Sequence, residues 1–216
     1  MTVHSAVADP RREVGPPLRG IRHHRVTVWV TMLVASVASL VASFVLAVEA
    51  LRLAENPNAD FACDINAVLS CGTVASSWQA SVFGFPNAFL GLVTEPVVIT
   101  IAVAALAGVR FPRWFMLAAQ VFYTVGLAFA YWLFHQAMFE IGALCPWCLL
   151  ITLATTLVFF EMTYVNIRDD NLYLPRRVQS ALTSVIRSNL DLVLVVVWIL
   201  LLVLAVVLRY GEALFA

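Results

Sequence analysis

The chain has 216 residues, 62% hydrophobic and 12% charged, with a mean hydropathy of +0.91. That balance excludes a water-soluble domain built around its own core and points to a protein whose solvent is lipid. The formal net charge is zero, yet the 13 basic residues are all Arg and none is Lys, so charge carries information here through its placement.

Residues 1–25, with Pro10, Pro16 and Pro17 among scattered Arg, read as a disordered basic tail. Five apolar stretches follow, each near the ~20 residues that a bilayer crossing needs: Val26–Val48, Ala88–Val109, Phe115–Met138, Cys145–Val165 and Leu190–Leu208. The first exceeds the roughly 7–15 residues of a cleavable apolar region and is expected to be a retained anchor. Backbone groups in hydrocarbon must be satisfied within each segment, which makes these runs helices, and no short alternating strands suggest a barrel. The expected fold class is an all-α integral membrane protein. A four-helix unit spans 26–167 with a loop at 49–86, a linker covers 168–188, and a fifth membrane helix lies within 189–216.

Five crossings place Arg11, Arg12, Arg19, Arg22, Arg25, Arg110, Arg113, Arg168, Arg176, Arg177 and Arg187 on one side, and only Arg52 and Arg209 on the other. The positive-inside rule then puts the N-terminus in the cytoplasm. All four cysteines fall on the opposite, oxidising side: Cys63 and Cys71 in the first outer loop, Cys145 and Cys148 at the mouth of the fourth helix.

Cys145-Pro146-Trp147-Cys148 is a C-x-x-C at a helix start, with Pro146 suited to the first turn. The helix N-terminus stabilises thiolate, and the spacing allows a small, reducible disulfide. Cys63 and Cys71, eight positions apart in a loop, permit either a static bridge or exchange with other sulfurs, and two pairs make a relay through mixed disulfides possible. Competing readings are structural bridges, helix-end packing of Cys145 and Cys148, and a zinc site, which a single C-x-x-C with an eight-residue spacing fits poorly, so no metal site is expected.

Four features together, in this order, make the chain resemble the vitamin K epoxide reductase family, in particular its bacterial disulfide-forming branch. They are the C-D-x-N-x-x-x-S-C stretch at Cys63–Cys71, Ser76-Ser77-Trp78, Phe85-Pro86-Asn87, and Cys145-Pro146-Trp147-Cys148. The resemblance spans residues 25–165. It implies a four-helix bundle around a menaquinone- or ubiquinone-type quinone, with the outer loop as a cap. It also implies a multi-pass location in a bacterial plasma membrane. The activity implied is reoxidation of a separate DsbA-like thioredoxin-fold partner outside the membrane, since only Arg209 to Ala216 follow the fifth span. Cys63 would meet the partner, Cys71 would pass electrons to Cys145, and Cys148 would face the quinone. Asn87 would donate its amide to a quinone carbonyl, although Asn is also a good N-cap for the second helix. Ser77 would help organise the cap. Thr152 stands where vertebrate members have a pocket Tyr, so epoxide chemistry does not follow from the resemblance.

Quinone reduction also takes up two protons, and ionisable groups at membrane depth are therefore of interest. Glu95 lies about 12 Å along the second helix from Asn87 at ~1.5 Å per residue, and His135 lies near the outer end of the third. Both are expected as possible proton relays. Among Trp78, Phe83, Phe85 and Trp147, the two expected to line an aromatic quinone pocket are Phe85 and Trp147. His23 and His24 sit in the basic tail, where solvation or headgroup contact accounts for them. Rival readings are a quinone or quinone-epoxide reductase whose product is the reduced quinone itself, and a membrane scaffold or metal-handling protein with structural cysteines.

Overall fold

A computed structural model describes residues 25–56, 59 and 61–214; the remainder of the expected tail, with His23 and His24, lies outside the described residues. Its helices are α1 (Arg25–Glu55), α2 (Cys71–Ala75), α3 (Ala88–Leu106), α4 (Arg113–Gln136), α5 (Pro146–Arg168), α6 (Arg176–Arg187) and α7 (Leu190–Tyr210). A π-helical turn, Ala137–Ile141, prolongs α4, and 3-10 turns stand at Trp78–Ser81 and Gly211–Leu214. Five of these helices, α1, α3, α4, α5 and α7, are long and apolar enough to cross a membrane, and the chain is an all-helical, multi-pass membrane protein.

α1 packs along both α3 and α5, and α5 packs along α4. The buried face of α1 runs through Val28, Trp29, Met32, Ala35, Ser36, Ser39, Ala42 and Ser43, the three- and four-residue spacing of one helical stripe. Its second half is small because a neighbouring backbone comes close. At Gly91 of α3 an added Cβ would collide with the Ser43 hydroxyl and lie 2.8 Å from the Ser43 Cβ, the small-residue packing by which membrane helices approach without a hydrophobic drive between them. At the end away from the cysteines the bundle is dry and dense: Val28, Met32, Ile101, Ala102, Met116, Val158, Met162 and Val165 form one core. Beside it the buried amide of Asn166 donates to Gln120 Oε1 at 2.9 Å and accepts from Asn171 at 3.1 Å, so these polar groups are mutually satisfied.

Three element boundaries differ from the sequence expectation. α1 continues to Glu55, so Glu49 and Arg52 belong to a helix rather than to the loop. The linker at 168–188 contains a helix, α6, whose Val178, Leu182, Val185 and Ile186 recur at helical spacing, with Ile186 buried. The third crossing ends in the π-helical turn, and α7 braces it: Tyr210 Oη donates to Met138 O at 2.9 Å, and Trp198 Nε1 donates to Tyr131 Oη at 2.7 Å.

Gly91→Ala is expected to destabilise the bundle by about 1–3 kcal/mol through overpacking, seen as a lower thermal midpoint in detergent. Adding Ser43→Gly should recover most of that loss, less the ~1 kcal/mol that glycine costs a helix.

Candidate active site

The loop after α1 is organised by one short acid. Asp64 Oδ1 accepts from Ser70 Oγ at 2.8 Å and from Gly72 N at 2.9 Å, while Ser70 caps α2 by accepting from Thr73 N at 3.1 Å. A Cβ at Gly72 would stand 2.9 Å from Asp64 Oδ2, so this close approach requires glycine. The partial burial of Asp64 works against ionisation, but hydrogen bonds from Gly72 N–H and the Ser70 hydroxyl outweigh it and hold the carboxyl below its ordinary range.

Two main-chain hydrogen bonds then tie this loop to the turn before α5: Leu144 N to Val68 O at 2.7 Å, and Ser70 N to Leu144 O at 3.1 Å. Because Leu144 precedes Cys145 and Ser70 precedes Cys71, the clamp sets the two cysteines face to face, and their sulfurs lie 3.3 Å apart. Cys63 and Cys71 are joined in a disulfide, while Cys145 and Cys148 are free thiols. Cys63, Cys71 and Cys145 are buried together with Phe61, and Trp147 packs against them from outside.

Cys145 is the N-cap of α5, its sulfur accepting from Cys148 N at 3.4 Å. Donation from the Cys148 thiol lowers the Cys145 thiol below its usual range. The N–H groups of Cys148 and Trp147 act in the same sense, against burial and the repulsion of Glu49.

Beneath this sulfur cluster lies a cavity of about 1000 Å³. α3 and α4 face each other across it, α1 and α5 close its back, and the 3-10 turn and α2 form its lid. Its wall is largely apolar, with Leu46, Leu90, Phe122, Phe129, Leu133 and Ile151 among the lining groups. Cys71, Cys145 and Cys148 reach it from above, and Ser77, Asn87, Thr152 and Glu95 add polar atoms.

The sequence-derived residues divide accordingly. Asn87 lines the cavity but does not cap α3 with its side chain. Its amide donates to Gln79 O at 2.6 Å, its Oδ1 accepts from Val82 N at 3.3 Å, and both bonds fasten the lid. One amide hydrogen is left over, since the side chain carries two. Ser77 donates to Val74 O at 2.6 Å and links α2 to the lid turn. Glu95 is buried, with Oε1 accepting from Ser39 at 2.9 Å and from Tyr123 at 3.3 Å. Its Oε2 has no partner among the described residues.

Three of the expected residues lie off the cavity wall. Phe85 and Trp147 do not line the cavity; Trp78 and Phe83 do. Gly84, at φ +81°, turns the chain between the two phenylalanines, and Phe85 stacks on Phe83 and Phe89 instead. Trp147 falls off the α5 face formed by Cys148, Leu149, Ile151, Thr152 and Thr155. His135 is exposed, with its ring 4.7 Å from that of Phe139, because the cavity face of α4 runs through Gly126, Phe129, Ala130, Leu133 and Phe134. Sequence reasoning missed Glu49, whose carboxyl lies 3.5 Å from Cys63 Sγ. A lone acid at the end of an apolar run carries no signal of that contact.

A membrane helix bundle in which a loop disulfide touches the first cysteine of a helix-capping C-x-x-C, above an apolar chamber, defines a thiol–disulfide oxidoreductase embedded in lipid. The model of the vitamin K epoxide reductase family matches residues 30–163, more than half of the chain, and the protein belongs to that family of membrane thiol–disulfide oxidoreductases and quinone reductases. No curated protein matches the chain.

Cys148→Ala is expected to raise the pH at which Cys145 ionises, because it removes the main donor to that thiolate; ultraviolet thiolate absorbance against pH reads the shift. The lowered carboxyl of Asp64 makes its contribution to loop order fully present above the ordinary aspartate range. That contribution is lost as pH falls through the lowered folded value, and amide exchange at Gly72 should accelerate over that acidic window but not in Asp64→Asn.

Proposed function

We propose that the protein oxidises a separate thioredoxin-fold, DsbA-like partner outside the membrane and delivers the electrons to a membrane quinone, so supporting disulfide formation in exported proteins. The observation that carries the reading is the 3.3 Å contact between Cys71 of the loop disulfide and Cys145 of the C-x-x-C. Such a contact has no role in a pair of static bridges and is what exchange between two pairs requires. The Arg distribution supports an N-terminus in the cytoplasm and cysteines on the far side of a bacterial plasma membrane.

A partner thiolate attacks Cys63, breaking the Cys63–Cys71 bond and releasing Cys71 as thiolate. Cys71 then attacks Cys145 of an oxidised C-x-x-C, freeing Cys148 at the cavity wall. The partner's second thiol displaces Cys63, completing the partner's disulfide. Cys63 closes again on Cys71, and the electron pair is left on Cys145 and Cys148. The thiol states of the structure correspond to that point in the cycle.

The cavity fits a quinone by its apolar wall, its volume of about 1000 Å³, the spare amide hydrogen of Asn87 and the orphaned Oε2 of Glu95. Bound there, a quinone supplies an acceptor for two electrons and two protons. Asn87 and Ser77 would orient it under the lid, Cys148 would face it, and Glu95 would hold a proton within the cavity wall.

The test is quinone-dependent oxidation of a reduced thioredoxin-fold protein by the detergent-solubilised chain. Cys145→Ala and Cys148→Ala should abolish turnover. Cys63→Ala and Cys71→Ala should stop the partner reaction, while Cys145 and Cys148 remain oxidisable by added quinone. Wild-type rates in all four variants would refute the relay. Glu95→Gln should slow turnover by about 10²-fold if it supplies a proton, with partner docking unchanged.

A further inference from the structure

Glu49 is unused in the scheme above, yet it is the only carboxyl among the described residues whose oxygen meets a sulfur of the exchange pair. It stands on the last turns of α1 and is buried, on the same face as Leu46 and Leu53, which pack against the cysteine cluster. One of its oxygens lies 3.5 Å from Cys63 Sγ and the other 3.7 Å. One carboxyl oxygen and the sulfurs of Cys63 and Cys71 all fall within 4.8 Å of one another.

A disulfide sulfur has no proton to give, so with the Cys63–Cys71 bond closed this contact forms a hydrogen bond only if the carboxyl carries the proton. With the bond open, the thiol of Cys63 donates to a carboxylate across the same distance. The two redox states of the pair therefore call for opposite proton positions on one hydrogen-bond axis. A carboxyl withdrawn from water against a thiol has this exchange as its chemistry, whereas a carboxylate left buried beside an apolar disulfide is costly.

We propose that Glu49 is the general base of the loop pair, taking the Cys63 proton as that pair closes. The inference rests on the relay above and supplies the proton step it lacks. In the closing step the Cys63 thiol passes its proton to the Glu49 carboxylate. The Cys63 thiolate attacks Cys71 in the Cys71–Cys145 mixed disulfide; the Cys63–Cys71 bond forms, the Cys71–Cys145 bond breaks, and Cys145 leaves as thiolate with the electron pair. Cys63 is oxidised and Cys145 reduced. Glu49 ends as the acid, hydrogen-bonded to the new disulfide, and returns the proton to Cys63 thiolate when a partner next releases it. The Cys145 leaving group, 3.3 Å from the sulfur it departs, is already stabilised by the Cys148 thiol and by N–H groups of α5.

The groups that bear on a pH measurement at Glu49 come from every side. Arg52 lies on its own helix, Asp64 in the loop, Cys63 and Cys71 at the exchange pair, and Cys145 and Cys148 on α5. Cys71→Ser, Cys145→Ser and Cys148→Ser together remove the other thiols and leave Cys63 as the sole thiol. In that full-length, detergent-solubilised background, the alkylation rate of Cys63 by iodoacetamide is followed against pH, with no partner and no quinone present.

With Glu49 present the profile should show a limb extending to acidic pH, where the carboxylate takes the thiol proton. In Glu49→Gln that limb should disappear, with the rate there falling about 10²-fold, the lower end of general-base contributions. Glu49→Asp should restore part of it. Glu55→Gln, at an exposed position farther along α1, controls for loss of helix charge and should leave the profile unchanged. If the profiles of Glu49→Gln and Glu49→Asp superimpose on that of the Glu49 background, the proposal is overturned. An equal change in Glu55→Gln would overturn it too. A profile that responds as expected in a protein inert toward thioredoxin-fold partners would keep Glu49 as the base of Cys63 and reject the relay, so the two readings fail separately.

Discussion

Two main-chain hydrogen bonds, joining Leu144 to Val68 and Ser70, hold the chemistry of this protein together. Neither depends on side-chain identity, and both link segments more than 70 positions apart. Without them no backbone contact would hold the loop disulfide against the C-x-x-C. Because each bond belongs to a residue beside a cysteine, the spacing of Cys71 from Cys145 is fixed by backbone geometry rather than by packing of the sulfurs. Asp64, holding Ser70 and Gly72 from inside the loop, keeps that short stretch in the shape the clamp needs.

The bundle beneath is built asymmetrically around the same requirement. At one end the helices close on a dry core, with Asn166, Gln120 and Asn171 satisfying one another beside it. At the other end a cavity keeps α3 and α4 apart, and small residues on α1 let α3 approach at Ser43 and Gly91. Dense packing is thus concentrated away from the sulfur cluster. α7 serves the reactive end from outside, its Tyr210 taking up carbonyl oxygens of the π-helical turn that leads to Leu144 and Cys145.

Much of this was legible in the sequence because it is local. Long apolar runs specify helices in lipid whatever their neighbours, and four cysteines in two spacings announce sulfur chemistry. Family membership follows from motifs whose order survives in one dimension. What the sequence hid depends on which way a side chain turns once the chain is folded. Phe83 and Phe85 are equivalent on paper, and the positive φ of Gly84 decides between them. His135 shares its height with the site but not its helical face. Trp147 lies inside the C-x-x-C and still packs on the far side from the cavity. α6 was masked by its Arg residues, which obscure a clear four-position apolar set. Glu49 is the sharpest case: one acid closing an apolar run resembles a membrane-interface residue, and only the return of the loop onto α1 brings Cys63 to it.

α1 has 31 residues, about 46 Å at ~1.5 Å per residue, against roughly 30 Å of hydrocarbon. That surplus leaves its last turns, with Glu49 and Arg52, past the apolar stretch Val26–Val48 and beside the loop disulfide. Passing charge across such a boundary is ordinarily expensive, since bare ions are poorly tolerated in hydrocarbon. Exchange between touching sulfurs keeps that cost local, because each step forms one S–S bond as another breaks and hands the thiolate charge to a neighbouring sulfur. In the proposed relay the charge moves only between neighbouring sulfurs and comes to rest at the N–H groups that open α5, never alone in hydrocarbon.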